Sequence, residues 1–218
     1  MDCGSNGGRG LSQQDIVLAS SSPRRTQLLQ QIGICHRVMP IDVDETYPAE
    51  LSPQDAVQLL AGRKAEAAVA HGAEGWVIGA DTIVAGDGAS FGKPRDAAEA
   101  HAMLRRLQGR RHDVYSGVMV QDTSTGARRC GYSHVTVWMR SVADEEIAWY
   151  VASGEPLDKA GAYSIQGVGA LFVERLYGDY YAVVGLPLQQ TAGFLRDLGW
   201  SRDQVTCDGP NQARMRGV

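Results

Sequence analysis

The chain has 218 residues, 44% hydrophobic and 21% charged, enough to bury a sizeable core as one elaborate domain or as two lobes sharing a cleft. A net charge of −4 argues against a generic nucleic-acid or anionic-membrane surface but allows a local basic pocket, so a small anionic ligand fits better than a polymer. Cys3, Cys35, Cys130 and Cys207 lie far apart with no C-x-x-C pair, no apolar run reaches membrane-span length, and the start is Gly-rich and polar; zinc, a disulfide framework, a span and a secretory leader are all unexpected, and the cytoplasm is the simplest home.

Residues 1–14 and 202–218 carry too little apolar surface to offset ordering and read as disordered tails around one domain at 15–201. Ile16 to Ala19 is a buried-strand pattern that stops on Ser20, Ser21 and Ser22. A helix follows: Ser22 suits the N-cap, Pro23 the first helical position, and Leu28, Leu29 and Ile32 an apolar face ended by Gly33. Arg24 and Arg25 in its first turn oppose the helix dipole. An anionic ligand held between the arginines, the serine hydroxyls and the free N–H groups would remove that conflict, which makes the turn a candidate phosphate site. The plain alternative is a capped helix with solvated arginines.

Ser52-Pro53-Gln54-Asp55 starts a second helix running toward Gly72, and Trp76 to Ala85 reads as a buried strand, in which Gly79 marks a bulge only under the alternative that Asp81 is a structural strand-end residue. Asp96-Ala97-Ala98-Glu99 resembles a capping box and opens a third helix ending at Gly109. Val114 to Gln121 and Tyr132 to Met139 alternate as a hairpin around Asp122 to Gly126. Ser141 to Asp144 opens a helix that ends near Gly154, and Leu171 to Leu176 with Tyr180 to Val184 suggest a second hairpin. Pro187 begins the last helix, whose Leu188, Ala192, Leu195 and Leu198 keep helical spacing up to Gly199. Alternating strands and helices without repeats or a Pro-rich linker favour an α/β core.

Several polar residues sit against this pattern. Asp81 interrupts the densest apolar strand, and a carboxylate there requires a cation, a metal or several donors; desolvation would also make it a better base. The alternative is an Asp that binds backbone N–H groups at a strand end. Lys64 falls in the middle of the helical face carrying Val57, Leu60, Ala61 and Ala68, where it either snorkels to the edge or supplies a point charge suited to phosphate; Arg63 and Glu66 point outward. Asp42-Val43-Asp44-Glu45 could hold a hard cation or be merely solvated. Gly92-Lys93-Pro94-Arg95 offers a further cation before a helix start. Arg105, Arg106, Arg110 and Arg111 read as surface residues at a helix end. Tyr163 to Gly169 forms a Gly-bounded loop in which the Gln166 amide could read a base by paired donor and acceptor, or simply close a turn. His112 and His134 have no metal-pair spacing.

Taken together, these segments resemble the Maf family of nucleoside triphosphate pyrophosphatases from Ile16 to about Gly199. The likeness rests on Leu18 to Arg25, Asp44-Glu45, Lys64-Ala65, Ala80-Asp81-Thr82, Lys93-Pro94, the run Glu155 to Tyr163, Ile165-Gln166-Gly167 and Val184 to Leu188. It implies a mixed, twisted sheet flanked by helices, with two lobes around a central cleft, as in inosine triphosphatases. It implies hydrolysis of a nucleoside triphosphate to the monophosphate and pyrophosphate with Mg²⁺ or Mn²⁺. Ser20, Arg24 and Arg25 would meet substrate, Glu45 and Asp81 would serve the metal and the attacking water, and Lys64 and Lys93 would neutralise phosphate. Pro23-Arg24-Arg25, Asp81-Thr82 and Ile165-Gln166-Gly167 resemble the branch acting on dTTP and UTP, with Arg24, Thr82 and Gln166 as specificity candidates. The rival readings are a 7-methyl-GTP pyrophosphatase and a non-catalytic nucleotide-binding regulator of cell division. The expected partner is a nucleoside triphosphate, without nucleic acid or membrane; the family allows a homodimer, although no apolar stripe demands one.

Overall fold

A computed structural model describes residues 15–201; the tails read at 1–14 and 202–218 lie outside the described residues. β1 (Ile16–Ala19) is buried at every position, as its unbroken apolar run requires, and passes through the serine turn into α1 (Pro23–Gln31). β2 (Arg37–Val38) returns parallel to β1 at the sheet edge. α2 (Pro53–Ala70) starts where the Ser52 hydroxyl accepts the Asp55 N–H, at 3.3 Å, and leads to β3 (Trp76–Gly86), which lies parallel to β1.

The rest of the sheet is antiparallel. β4 (Ala89–Phe91) folds back on β3, α3 (Ala97–Leu107) follows, and β5 (Arg111–Asp122) with β6 (Arg128–Met139) forms the long hairpin that the alternation predicts. After α4 (Asp144–Ala152) and three short 3₁₀ turns, β7 (Val173–Tyr177) adds to β6; α5 (Tyr180–Val184) and α6 (Leu188–Asp197) complete the fold. The seven strands run β2-β1-β3-β5-β6-β7, with β4 paired to β3, and helices flank them as a mixed α/β sheet.

Four hydrophobic clusters flank the sheet: Val77 of β3 packs with Ala65 and Ala68 of α2, Ile83 packs with Val57 and Leu60 of α2, and two larger clusters take the alternate residues of the central strands. Ile78 and Ala80 of β3 and Val118 of β5 pack with Leu18, Leu29 and Leu195, whereas Val84 and Val114, farther along the same strands, pack with Leu104, Val137 and Tyr150. Asp81, Thr82 and Ser116 fall at the changeover. The polar break in the apolar strand therefore marks the boundary between two lobes.

Two local expectations are corrected and one alternative is ruled out. Tyr180 to Val184 is a helix: Asp179 accepts the Tyr181 N–H at 2.9 Å, and this cap between Gly178 and Gly185 overrides the strand propensity of the Tyr-Tyr-Ala-Val-Val run. Gly79 lacks the bulge that the alternative reading of Asp81 put there, because the register continues through it from Ala19 on one side to Met119 on the other. Its role is close approach: a Cβ there would lie 2.1 Å from the Ala61 carbonyl oxygen, and one on Gly117 would lie 2.3 Å from that of Val57, so these glycines let α2 rest its backbone on β3 and β5. At the start of α1, Ser22 occupies the N-cap position without a side-chain capping bond; its N–H instead donates to Ser20 Oγ at 3.1 Å.

The disulfide expectation partly concerns Cys3 and Cys207, which lie outside the described residues. Of the two described cysteines, Cys130 is free and exposed, while Cys35 is disulfide-bonded, which wide spacing alone did not suggest. Among the described residues no helix is long and apolar enough to cross a membrane.

Candidate active site

A cleft of about 510 Å³ opens at the boundary between the cores. Ser20, Arg24, Arg25, Glu45, Lys64, Asp81, Thr82 and Lys93 all line it, although they come from two helices, one strand and three loops. Gln166 does not; the loop contributes Tyr163, Ser164 and Ile165 to the wall, and Gln166 follows them in the chain. The expected site is thus assembled except for its proposed base reader, which stands beside the wall.

Lys64 neither snorkels nor stays solvated. The close contact of α2 with β3 carries its ammonium to Asp81 Oδ1 at 2.5 Å, and Glu45 Oε1 reaches the same nitrogen at 2.7 Å. Burial pushes the Glu45 carboxyl up, but the Lys64 hydrogen bond and the positive fields of Lys64, Lys93 and Arg25 outweigh it and hold the group below the ordinary glutamate range. The acidic loop divides its labour. Asp44 accepts the Thr46 N–H and hydroxyl, both at 2.9 Å, while Arg63 on α2 donates to the Asp44 and Thr46 carbonyls and tethers the loop that presents Glu45.

The two arginines have different surroundings. Arg25 is buried, with Nε on the Gly185 carbonyl at 2.8 Å, one terminal nitrogen on Ser20 Oγ at 3.1 Å and the other on Thr82 Oγ1 at 3.4 Å. Burial pushes this guanidinium below its usual range, with Asp81 opposing. Ser116 donates to the Ala182 carbonyl at 2.6 Å, so in its 2.8 Å contact with Thr82 it must accept, leaving Thr82 as the donor. Thr82 therefore offers an incoming group only an acceptor lone pair. Arg24 stays accessible and pairs at 2.9 Å with Asp158, which also holds Lys159 at 2.5 Å.

Asp158, Lys159, Ser116 and the Gly185 carbonyl were missed as partners. The first two stand in the run Glu155 to Tyr163, whose adjacent Asp158-Lys159 charges were a signal; the carbonyl and the serine carry none. His112 shares a 2.7 Å hydrogen bond with Tyr163 of the cleft wall, and burial lowers its pKa to about 4.

The family description "Maf-like protein" matches residues 15–198. The chain belongs to this family. Curated Maf relatives called "dTTP/UTP pyrophosphatase" include those of Pelotomaculum thermopropionicum, 47% identical over 86% of this chain and 98% of the relative, and Geobacillus sp. strain WCH70, 46% identical over 86% and 100%. The relative of the same name from Syntrophus aciditrophicus is 42% identical over 85% of this chain and 91% of its own. A solved Staphylococcus aureus Ham1 protein shares 19% identity at a TM-score of 0.43, covering 60% of this chain and 73% of that one, too distant to add to the fold described.

The acids of this Maf chain suit a hard divalent cation. Glu45 and Asp81 direct carboxylate oxygens at one positive centre, the Lys64 ammonium, which shows that the pocket already balances a cation there. No group of three or more His, Cys, Asp or Glu side chains able to hold a metal occurs among the described residues. Phosphate oxygens and water would have to complete the coordination, the usual arrangement for Mg²⁺.

Proposed function

We propose that this protein hydrolyses nucleoside triphosphates, dTTP and UTP foremost, to the monophosphate and pyrophosphate. The observation that carries the reading is the meeting of Glu45 and Asp81 with Lys64 in the cleft that also contains the Ser20 to Arg25 turn. A pocket that only bound triphosphate would use the cations; carboxylates beside phosphate are unfavourable unless a divalent ion and a water are handled there. This favours catalysis over a purely regulatory binder.

In this reading Lys64, Lys93 and Arg24 offset the charge of the phosphate chain, and the α1 turn with the Ser20 hydroxyl receives its oxygens. Mg²⁺ or Mn²⁺ held by Glu45 and Asp81 would supply Lewis-acid neutralisation of the phosphate oxygens. Asp81 takes a proton from the water as its oxygen bonds to the α-phosphorus; the bond from that phosphorus to the bridging oxygen breaks, and its electron pair leaves with pyrophosphate. Glu45 is the alternative proton acceptor. Arg24 and Thr82 distinguish the base and sugar directly, and Gln166, which adjoins the cleft wall without lining it, bears on specificity through Ser164 and Ile165 beside it. The reading treats residues 15–201 as one pyrophosphatase domain working in the cytoplasm on a small nucleotide, with no nucleic acid or membrane, and it is compatible with a homodimer.

The test is pyrophosphate release by purified protein from UTP, dTTP and 7-methyl-GTP, with and without Mg²⁺ or Mn²⁺. The pyrimidine nucleotides should give the higher rates, and only with metal. Tight nucleotide binding with no pyrophosphate would establish the regulatory alternative instead, and a 7-methyl-GTP preference the purine one.

A further inference from the structure

The segment Ser164 to Gly169 leaves the cleft wall at Ile165 and packs Val168 against the core of Val84, Leu104 and Tyr150, and both its ends are tied to one pair of side chains. Tyr150, buried on α4, accepts the Ser164 N–H at its hydroxyl at 3.2 Å and donates that hydroxyl to Glu155 Oε1 at 2.9 Å. Glu155 also accepts the N–H groups of Val168 at 3.1 Å and Gly169 at 3.2 Å. Inside the segment, the Gln166 N–H donates to Ser164 Oγ at 3.1 Å.

The fit leaves no slack. Gly167 has φ +76°, and a Cβ there would lie 2.9 Å from Glu155 Oε2; a Cβ on Gly169 would lie 2.6 Å from the Tyr150 hydroxyl. Burial and the Glu155 carboxylate push the Tyr150 phenol far above its ordinary range, so it remains a donor at working pH. Glu155 and Tyr150 do not line the cleft and cannot touch a ligand in it. What they hold does, through Ser164 and Ile165, with Gln166 next. The charged groups of the cleft come from other elements, whereas this segment brings the Ser164 hydroxyl, the Ile165 side chain and their backbone groups. That chemistry suits an uncharged heterocycle with donor and acceptor edges, not phosphate.

We propose that Glu155 and Tyr150 are positioning residues that fix Ser164 to Gly169 as a rigid wall of the nucleotide cleft, so that this wall discriminates the base. The identity of the ligand rests on the pyrophosphatase reading; the tether does not. A wall held at both ends can refuse a wrong base, because it cannot move to satisfy the polar groups that such a base leaves unpaired.

Tyr150→Phe keeps the ring and removes the hydroxyl, Glu155→Gln replaces one acceptor oxygen by a donor, and Gly167→Ala crowds the carboxylate, so the three disturb the tether by independent routes. Hydrogen exchange should show lost protection at the Ser164, Val168 and Gly169 amides in Tyr150→Phe, with α2 and β3 unchanged. The KM for UTP should rise about three- to tenfold, the effect of one lost hydrogen bond, with kcat within about twofold and a narrowed preference for UTP over CTP and GTP. Loosened amides with KM and base preference unchanged, or a fall in kcat at constant KM, would overturn the proposal. Binding of a nonhydrolysable UTP analogue, measured alongside CTP and GTP analogues, separates the two readings. Wild-type binding without turnover strikes the pyrophosphatase reading alone, while the base preference of the variants in binding still decides the tether.

Discussion

Lys64 Nζ lies 2.5 Å from Asp81 Oδ1, and both side chains are about nine-tenths buried although one comes from a helix and the other from the central strand. The contact exists because Gly79, two residues before Asp81, lets α2 sit directly on β3. A buried carboxylate is thereby oriented by one specific ammonium at the wall of a nucleotide-sized cleft, while its second oxygen has no partner among the described residues.

Asp81→Asn keeps the side-chain shape and removes the base. Pyrophosphate release from UTP should fall by about two to four orders of magnitude, the usual effect of losing a general base. A melting curve taken alongside should remain cooperative. Full turnover in a folded Asp81→Asn protein would discard the assignment.

Lys64→Met retains much of the alkyl packing and deletes the charge. Asp81 then sits in a largely buried position without its partner, so unfolding free energy should fall by up to roughly 3 kcal/mol, the lower end for a broken buried pair because the cleft admits water. The same change should strengthen Mn²⁺ binding to the nucleotide-free protein, since Glu45 and Asp81 no longer share an ammonium. Titration calorimetry or Mn²⁺ resonance checks this, and weaker Mn²⁺ binding by the variant would refute it.

Arg24 and Arg25 are adjacent in sequence and opposite in expected phenotype. Arg24 makes an accessible pair with Asp158, so Arg24→Ala should change stability by less than about 1 kcal/mol while raising the KM for nucleotide. Arg25 donates to Gly185, Ser20 and Thr82 from a buried position, so Arg25→Ala takes the donor from the Gly185 carbonyl, removes three hydrogen bonds at once and leaves a cavity, and should cost roughly 3 kcal/mol. Denaturant melts with paired kinetics separate the two. Equal destabilisation would mean that the difference in burial has no energetic consequence.

Most of the cleft was legible because its residues violate local patterns. Asp81 breaks an apolar strand, Lys64 breaks an apolar helical face, and two arginines crowd the positive end of a helix; each violation needs a distant partner, and the fold supplies it. The serine-to-helix turn and the long hairpin follow from capping and alternation. Tyr180 to Val184 could not be read locally, because a five-residue helix depends on Asp179 and on packing of Ala182 and Val184 more than on propensity. The role of Gly79 stayed open for a similar reason: a bulge and a close helix approach leave the same mark in the sequence. Asp158 and Glu155 act through partners more than a hundred residues away or through backbone N–H groups, and no spacing rule encodes such contacts.

His112 provides a pH test. Burial lowers its pKa from 6.5 to about 4 in the folded protein, whereas the unfolded chain titrates at the ordinary value. Between these two values the unfolded state binds the extra proton, so stability contributed by the neutral imidazole is complete above the unfolded pKa and declines as pH falls toward the folded one. Over the one and a half units from about pH 6.5 to pH 5 the loss should reach roughly 2 kcal/mol from this residue alone. Glu45 acts lower on the scale: its depressed folded pKa adds stability above the ordinary glutamate value, lost as pH falls through the folded one. His112→Gln has no titrating ring, so its stability should decline less than that of the wild type across the same interval. Denaturant unfolding at several pH values measures both slopes, and identical slopes would show that His112 takes up its proton as readily in the folded chain as in the unfolded one.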